Sequence, residues 1–507
     1  MKTGAMLAAV GLLFVLNVAA EEKRNILHII IDDLRPELPP YENSDYYPGS
    51  DHILAPNIAK LANKSTLFER AYCQYAMCGP SRTSFLTGRR PTTLEIFSSH
   101  DYFRDTHPGI VTIPMFFKNN GYTTLGTGKV FHPPGREAVV SFDKFYPPDK
   151  AAHRNYRHVG DVWMAVSDDP EHRVNLPDEI ARDQAVDMLK EFAANHHGEQ
   201  NFYMAVGFRK PHLPWVAPQR FFDLYDIANI TLPENKKAPQ NMPNVAWPSG
   251  TNCLEIMHEL KNETTAERII GGNISLTLPD DLAVQYQRGY YACISFVDSL
   301  VGELLDTLED LGLHEDTVIV LHSDHGFNLG ENSAWGKHTQ FETANHVPLM
   351  FHLPGETEAK VSGGFVELLD VFPTLVELAG FPSSDVPRCS DVAENLCHEG
   401  ISLAPIIKGE EQNSSSEFAD YVNLHYVGAP DKGTYFGESV LSKEGRFTRW
   451  YLQPAGFKKK ATVSTDNLFT EELYDHTMDK KETVNVAGDQ SYADLRTHIS
   501  SLPQHSN

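Results

Sequence analysis

Six cysteines in 507 residues are too few to staple a small disulfide scaffold, so the chain must build a hydrophobic core of its own. Beyond residue 20 no apolar run approaches the roughly 20 residues that a membrane-spanning helix needs, and no membrane span is expected. Positive charge is scarce as well. The 43 Lys and Arg face 68 Asp and Glu, a formal net charge of -25, so long-range repulsion opposes polyanions at neutral pH and no nucleic-acid partner is expected. The 23 histidines alter this in acid: protonating all of them brings the charge from -25 to -2, which suits an acidic compartment and an anionic substrate. Internal repeats are also lacking.

What is present begins with Lys2, an apolar stretch from Ala5 to Ala20 and the small residues Val18, Ala19 and Ala20 before Glu21 to Arg24. Residues 1–20 read as a secretory signal peptide, which predicts a lysosomal or secreted protein. Five N-x-S/T sequons, at Asn63, Asn229, Asn262, Asn273 and Asn413, agree with that compartment. Three lie between 229 and 275, and Pro239 to Pro243 is rich in proline and amides, so a long exposed excursion is expected there. Cys389 and Cys397 sit close enough for a local bridge. Cys293 falls in a helical pattern as a buried thiol, and Cys73 and Cys253 stay unassigned.

Asn25 to Ile31 is a nearly continuous apolar, β-branched run, the pattern of a strand buried on both faces of a parallel sheet. Thr123 to Gly126, Phe202 to Val206, Thr317 to Leu321 and Pro348 to Phe351 repeat the form. Helical patterns over Asp178 to Ala194 and Asp281 to Leu311 lie between them, and Gly312 serves as a stop signal. Strands alternating with helices predict an α/β core with a mostly parallel central sheet flanked by helices. After about residue 405 the pattern turns to polar stretches and short strands such as Phe447 to Leu452. The predicted division is a catalytic domain over 21–405 and a smaller C-terminal α+β domain over 406–507. Lys458 to Lys460 reads as a solvated loop.

Asp32-Asp33 ends the first strand and Ser323-Asp324-His325-Gly326 follows another. Two adjacent aspartates can simply open a turn. Two acidic clusters at the carboxyl ends of two strands can also converge on one hard cation, Ca2+ or Mg2+ rather than zinc.

The most constrained stretch is Cys78-Gly79-Pro80-Ser81-Arg82 followed by Leu86-Thr87-Gly88. A lone cysteine is usually a small core residue, but this one fits the C-x-P-S-R-x-x-x-L-T-G signature, and the chain resembles the type I sulfatases. Asp32 to Pro36, Gly128 to Pro133, Lys210-Pro211-His212 and Ser323 to Gly326 are similar to further blocks of that family, in family order. Gly128 to Pro133 and Phe85 to Pro91 are most similar to its iduronate 2-sulfatase branch.

The resemblance implies an alkaline-phosphatase-like core and the conversion of Cys78 to formylglycine by the formylglycine-generating enzyme. It implies one Ca2+ held by Asp32, Asp33, Asp324 and His325 together with the modified Cys78, with His325 contacting sulfate as the alternative. Arg82, Lys129 and Lys337 would hold the sulfuryl oxygens, His212 would protonate the leaving oxygen and His132 would support the hydrate. The implied partner is a sulfated glycosaminoglycan or other sulfate ester, first the 2-O-sulfate of iduronate in heparan or dermatan sulfate. The alternatives are another sulfatase specificity, a phosphatase or phosphodiesterase of the same fold, and a non-catalytic glycoprotein that binds sulfated sugars. One departure stands out. No cysteine lies between Cys78 and Cys253, where that branch of the family would carry a second disulfide.

Overall fold

A computed structural model describes residues 22–42, 47, 52–132, 135–148, 162–173, 175–196, 200–247, 277–391, 393–410, 421–428, 434–454, 457 and 463–503. The expected signal peptide, Cys253, Asn262, Asn273, Asn413, Pro133 and Lys458 to Lys460 lie outside the described residues. Asn63 and Asn229 are exposed.

The first strand, β1 (Asn25–Ile31), is buried along its whole length. Successive side chains of a strand point to opposite faces, and here Leu27, Ile29 and Ile31 enter one core cluster while Ile26 and Ile30 enter the other. A sheet with apolar demand on both faces must be covered on both.

Around it lie β2 (Thr66–Tyr72), β3 (Thr123–Gly128), β4 (Lys144–Tyr146), β5 (Phe202–Phe208), β6 (Thr317–Ser323), β7 (His346–Val347), β8 (Leu349–His352) and β9 (Lys360–Glu367). The order is β7-β2-β8-β6-β1-β5-β3-β4, with β9 paired to β2. Strands β6, β1, β5, β3 and β4 run parallel; β7 pairs antiparallel with β2, and β8 antiparallel with β2 and β6. The mostly parallel α/β core is therefore as expected, and the proline at 348 stays outside the strand that follows it.

Three helices matter for the site. α1 (Cys78–Thr87) packs on one face with all ten residues buried. α2 (Pro177–His196) and α3 (Asp280–Asp310) cover the other, burying among others Ala185, Leu189, Tyr290, Ile294 and Val297. Gly312 takes a left-handed φ of 68° after α3, a conformation that costs glycine little.

The C-terminal part forms an antiparallel sheet of β10 (Tyr421–Gly428), β11 (Tyr435–Ser442), β12 (Gly445–Leu452) and β13 (Leu468–Asp475), followed by α4 (Ala493–Ser501). It is not isolated from the larger body. Trp450 and Tyr474 join the main core cluster, and Tyr75 bridges to His425. Cys389 and Cys397 are bonded, and Cys73 and Cys293 are buried free thiols.

Candidate active site

β1 and β6 pair residue for residue from Asn25 and Thr317 to Ile31 and Ser323. Their next residues, Asp32 and Asp324, therefore leave the sheet side by side at its carboxyl edge. Asp33 turns back at φ 62°, uncommon for a residue with a side chain. Local bonds hold it there: its N–H donates to Asp324 Oδ1 (3.1 Å), its carbonyl accepts from Tyr290 Oη (2.7 Å), and Leu34 N–H donates to Ser323 Oγ (2.9 Å).

The first helical residue of α1 is Cys78, so the positive end of this helix lies at the acidic edge. Around its Sγ stand Asp32 Oδ1 (3.5 Å), Lys129 Nζ (3.5 Å), His325 Nε2 (3.3 Å) and Lys337 Nζ (3.2 Å). One helical turn later Arg82 folds back. Its Nε donates to Asp324 Oδ2 (2.8 Å) and a terminal nitrogen to Asp32 Oδ1 (3.2 Å), while another is held by the Lys129 and Val130 carbonyls. Ser81, inside the motif but assigned no task from sequence, donates to the Asp324 carbonyl (2.5 Å).

Lys129 arrives through a close crossing of β3 and β5. A Cβ on Gly207 would lie 2.2 Å from the Lys129 carbonyl carbon, and one on Gly128 2.1 Å from the Gly207 carbonyl oxygen. Only glycines fit, and the approach lets Lys129 N–H donate to Gly207 O (2.7 Å) and its ammonium pair with Asp32. Lys337 comes from the loop after β6 and pairs with Asp33.

These groups set one another's charge. Burial opposes ionisation of Asp32, yet Lys129 and Arg82 outweigh it and hold its carboxyl well below the usual range. For Asp33 burial prevails over Lys337, and Asp32 and Asp324 add to it, so its pKa is raised. Burial would lower His325, but Asp324, Cys78 and Asp33 raise it to about 9. Its Nδ1 lies 3.0 Å from the Gly326 carbonyl, which fixes Nε2 toward Cys78.

His212 sits between two cis prolyl bonds, Lys210-Pro211 and Leu213-Pro214. Its Nδ1 donates to the Leu213 carbonyl (2.6 Å), and the ring comes within 4.8 Å of Asp32, Asp33 and Cys78. Burial, Lys337 and Lys129 hold its pKa well below the ordinary value. His132 stands a step farther back: its Nδ1 bonds the Ser99 carbonyl (3.0 Å), and Ser99 Oγ accepts the Gly79 N–H (3.3 Å). Burial and Lys129 lower His132 to about 4.

The donor set fits a divalent cation. Ligand atoms of Asp32, Cys78, Asp324 and His325 all lie within 4.8 Å of one another, as do those of Asp32, Asp33, Cys78 and His212. Asp33 Oδ2 is buried with no hydrogen-bond partner among the described residues, a costly state that a cation relieves. Asp32, Asp33, Cys78, Arg82, Lys129, His212, Asp324, His325 and Lys337 thus converge, and His132 supports the rim. Ser81 and Ser323 lie inside quoted motifs but were assigned no task, and Tyr290 was read only as a core residue of its helix, because each acts through a contact far along the chain.

Comparison with known proteins gives the family. The family model described as Sulfatase matches residues 24–381. Iduronate 2-sulfatase of Mus musculus is 35% identical over 432 residues, covering 76% of this chain and 74% of that protein. The Homo sapiens protein is 35% identical over 429 residues, covering 75% and 73%. Among solved structures, one in complex with its substrate D-glucosamine-2-N,6-O-disulfate superposes with a TM-score of 0.70 at 21% identity, covering 95% of this chain and 97% of that one. That likeness extends the shared alkaline-phosphatase-like fold beyond the matched segment. With three-quarters of its length aligned to such relatives and the signature cysteine at the carboxyl edge of the sheet, the chain belongs to the sulfatase family and is a sulfuric ester hydrolase.

Proposed function

We propose that this enzyme removes the 2-O-sulfate of iduronate from heparan or dermatan sulfate, in the lysosome or outside the cell. The single observation that carries the catalytic reading is the convergence of Asp32, Lys129, His325 and Lys337 on Cys78 Sγ within 3.5 Å. The 35% identity to iduronate 2-sulfatases over three-quarters of the chain supports the sugar. Residues 1–20 direct the chain into the secretory pathway, where the formylglycine-generating enzyme modifies Cys78.

Cys78 Sγ stands in for the oxygens of the modified side chain. Asp32, Asp33, Asp324 and His325 would hold a divalent cation, Ca2+ by the oxygen-rich donor set. Formylglycine supplies a hydrated aldehyde, with one hydroxyl to attack sulfur and a second to expel sulfate afterwards, and the cation supplies charge neutralisation and a lowered hydroxyl pKa.

The remaining work belongs to the chain's own cations and histidines. Lys129 and Lys337 hold the sulfuryl oxygens beside residue 78, and Arg82, locked by Asp324 and Asp32, adds fixed positive charge behind it. His212 presents Nε2 toward the leaving oxygen because Leu213 occupies Nδ1; once bound sulfate offsets Lys337 and Lys129 and Nε2 takes up a proton, it delivers that proton to the sugar alkoxide. His132, lowered to about 4 and bonded through Nδ1 to the Ser99 carbonyl, would support residue 78 as a proton acceptor through Nε2.

Assay against a panel of defined sulfated disaccharides tests the reading. Release of sulfate from 2-O-sulfated iduronate at least about a hundredfold faster than from 6-O- or N-sulfated glucosamine is expected. Preference for another position overturns the sugar and leaves the ester hydrolase.

A further inference from the structure

The segment that carries His212 is held by its own buried lysine. Two of residues 211–214 are prolines and donate no N–H, so its carbonyls need other partners. Trp215 Nε1 donates to Pro211 O (2.7 Å), and His212 Nδ1 to Leu213 O (2.6 Å). Lys210 Nζ takes His212 O (2.8 Å) and shares Pro214 O (2.5 Å) with the Val216 N–H (3.0 Å). Lys210 is only 5% exposed, so its ammonium is committed to the loop rather than to water. At the other end Asp178, in the first turn of α2 and 3% exposed, accepts the N–H groups of Arg209 (2.7 Å) and Lys210 (2.9 Å).

We propose that Asp178 and Lys210 are positioning residues for His212, a clamp that sets the direction of its imidazole. The inference rests on the reading of His212 as proton donor. The ring is aimed by its bond to the Leu213 carbonyl, and the carbonyls on either side of that one are the two that Lys210 holds. Removing the ammonium leaves the His212 carbonyl without a donor and takes one of two from Pro214 O, and the loop relaxes toward other partners. A displacement of about 1 Å at a proton donor costs roughly a hundredfold in rate. That loss falls only on reactions whose leaving group needs the proton.

Rates on phenyl sulfate, a poor leaving group, and 4-nitrophenyl sulfate, a good one, test this in the mature enzyme. Lys210→Met should slow phenyl sulfate about 10- to 100-fold and 4-nitrophenyl sulfate by less than about threefold. The ratio of the two rates is unaffected by a reduced folded fraction, which lowers both alike. His212→Ala should show the same selective loss, and adding Lys210→Met to it should cost nothing further. Equal losses on both substrates, or additive losses in the double variant, overturn the clamp. If Lys210→Met yields no folded protein, Asp178→Asn reads the same ratio from the other end. If His212→Ala leaves the ratio unchanged, the proton-donor reading falls and takes the clamp with it. If His212→Ala changes the ratio and the clamp variants do not, only the clamp falls.

Discussion

Lys337 pairs with one oxygen of Asp33, and the other oxygen, Oδ2, is buried with no hydrogen-bond partner among the described residues. The geometry reserves half of a carboxylate. A divalent cation beside Asp32 and Asp324 would occupy it without disturbing the lysine. Asp33→Asn should therefore lower stoichiometric metal content, read by elemental analysis, and reduce kcat/KM at least about a hundredfold. Full activity in the metal-stripped protein would refute the cation's role.

Cys78 should be formylglycine in enzyme made through a eukaryotic secretory pathway. Mass spectrometry of the peptide from Ala71 to Arg82 reads the mass difference between thiol and aldehyde. Cys78→Ala should abolish turnover while changing stability by less than about 1 kcal/mol, since the fold loses only the heteroatoms on one Cβ. An active preparation carrying only the thiol would remove the nucleophile from the mechanism.

The pH dependence should split between free enzyme and complex. Burial, Lys337 and Lys129 lower the His212 pKa in the free protein. A bound sulfate group offsets those lysines, so the pKa rises on binding. A general acid works below its pKa, and activity falls as pH rises through it. The descending limb of kcat, which reports the complex, should accordingly lie at higher pH than that of kcat/KM, which reports free enzyme. Coincident limbs would argue against His212 as the donor.

Gly207→Ala tests how Lys129 is delivered. The added methyl carbon would lie 2.2 Å from the Lys129 carbonyl carbon, and the three nearest atoms are all backbone. We expect a loss of about 2 kcal/mol in unfolding free energy or more. Activity should fall about tenfold beyond what the folded fraction explains, because the Lys129 ammonium moves with its backbone.

Glu482 and Arg446 form a buried pair that His476 joins. Burial would raise the Glu482 pKa, but Arg446 outweighs it and sets it at about 2. A depressed carboxyl stabilises the fold above its unfolded value, roughly 4.3, and that contribution is lost as pH falls through this window toward 2. Glu482→Gln should cost about 3 kcal/mol near neutrality and flatten the melting temperature against pH below 4.5. An unchanged acid limb would place the sensitivity elsewhere.

The sequence made the centre of the molecule legible and the edges less so. β1, β5 and β6 are buried on both faces, so their apolar runs were plain, and the acidic residues that follow β1 and β6 located the site. β2, with Glu69 and Arg70 half-exposed in its middle, and β9, with exposed residues at its start, carry no such run. Lys337 and His212 lie on loops, where periodicity is silent, and only motif resemblance singled them out. The Asp178 clamp spans more than 30 residues and leaves no local pattern.

The equal length of β1 and β6 has a further meaning for variation in this chain. Because the strands pair without a bulge over seven residues each, the distance between Asp32 and Asp324 is a matter of counting. Exchanging Ile29 for Val costs a methyl group and leaves the count intact. Deleting one residue from either strand turns every following side chain to the opposite face, separating two carboxylates that no loop can bring back. These two strands should accept changes of side chain and refuse changes of length. Insertions should be confined to the loops beyond them.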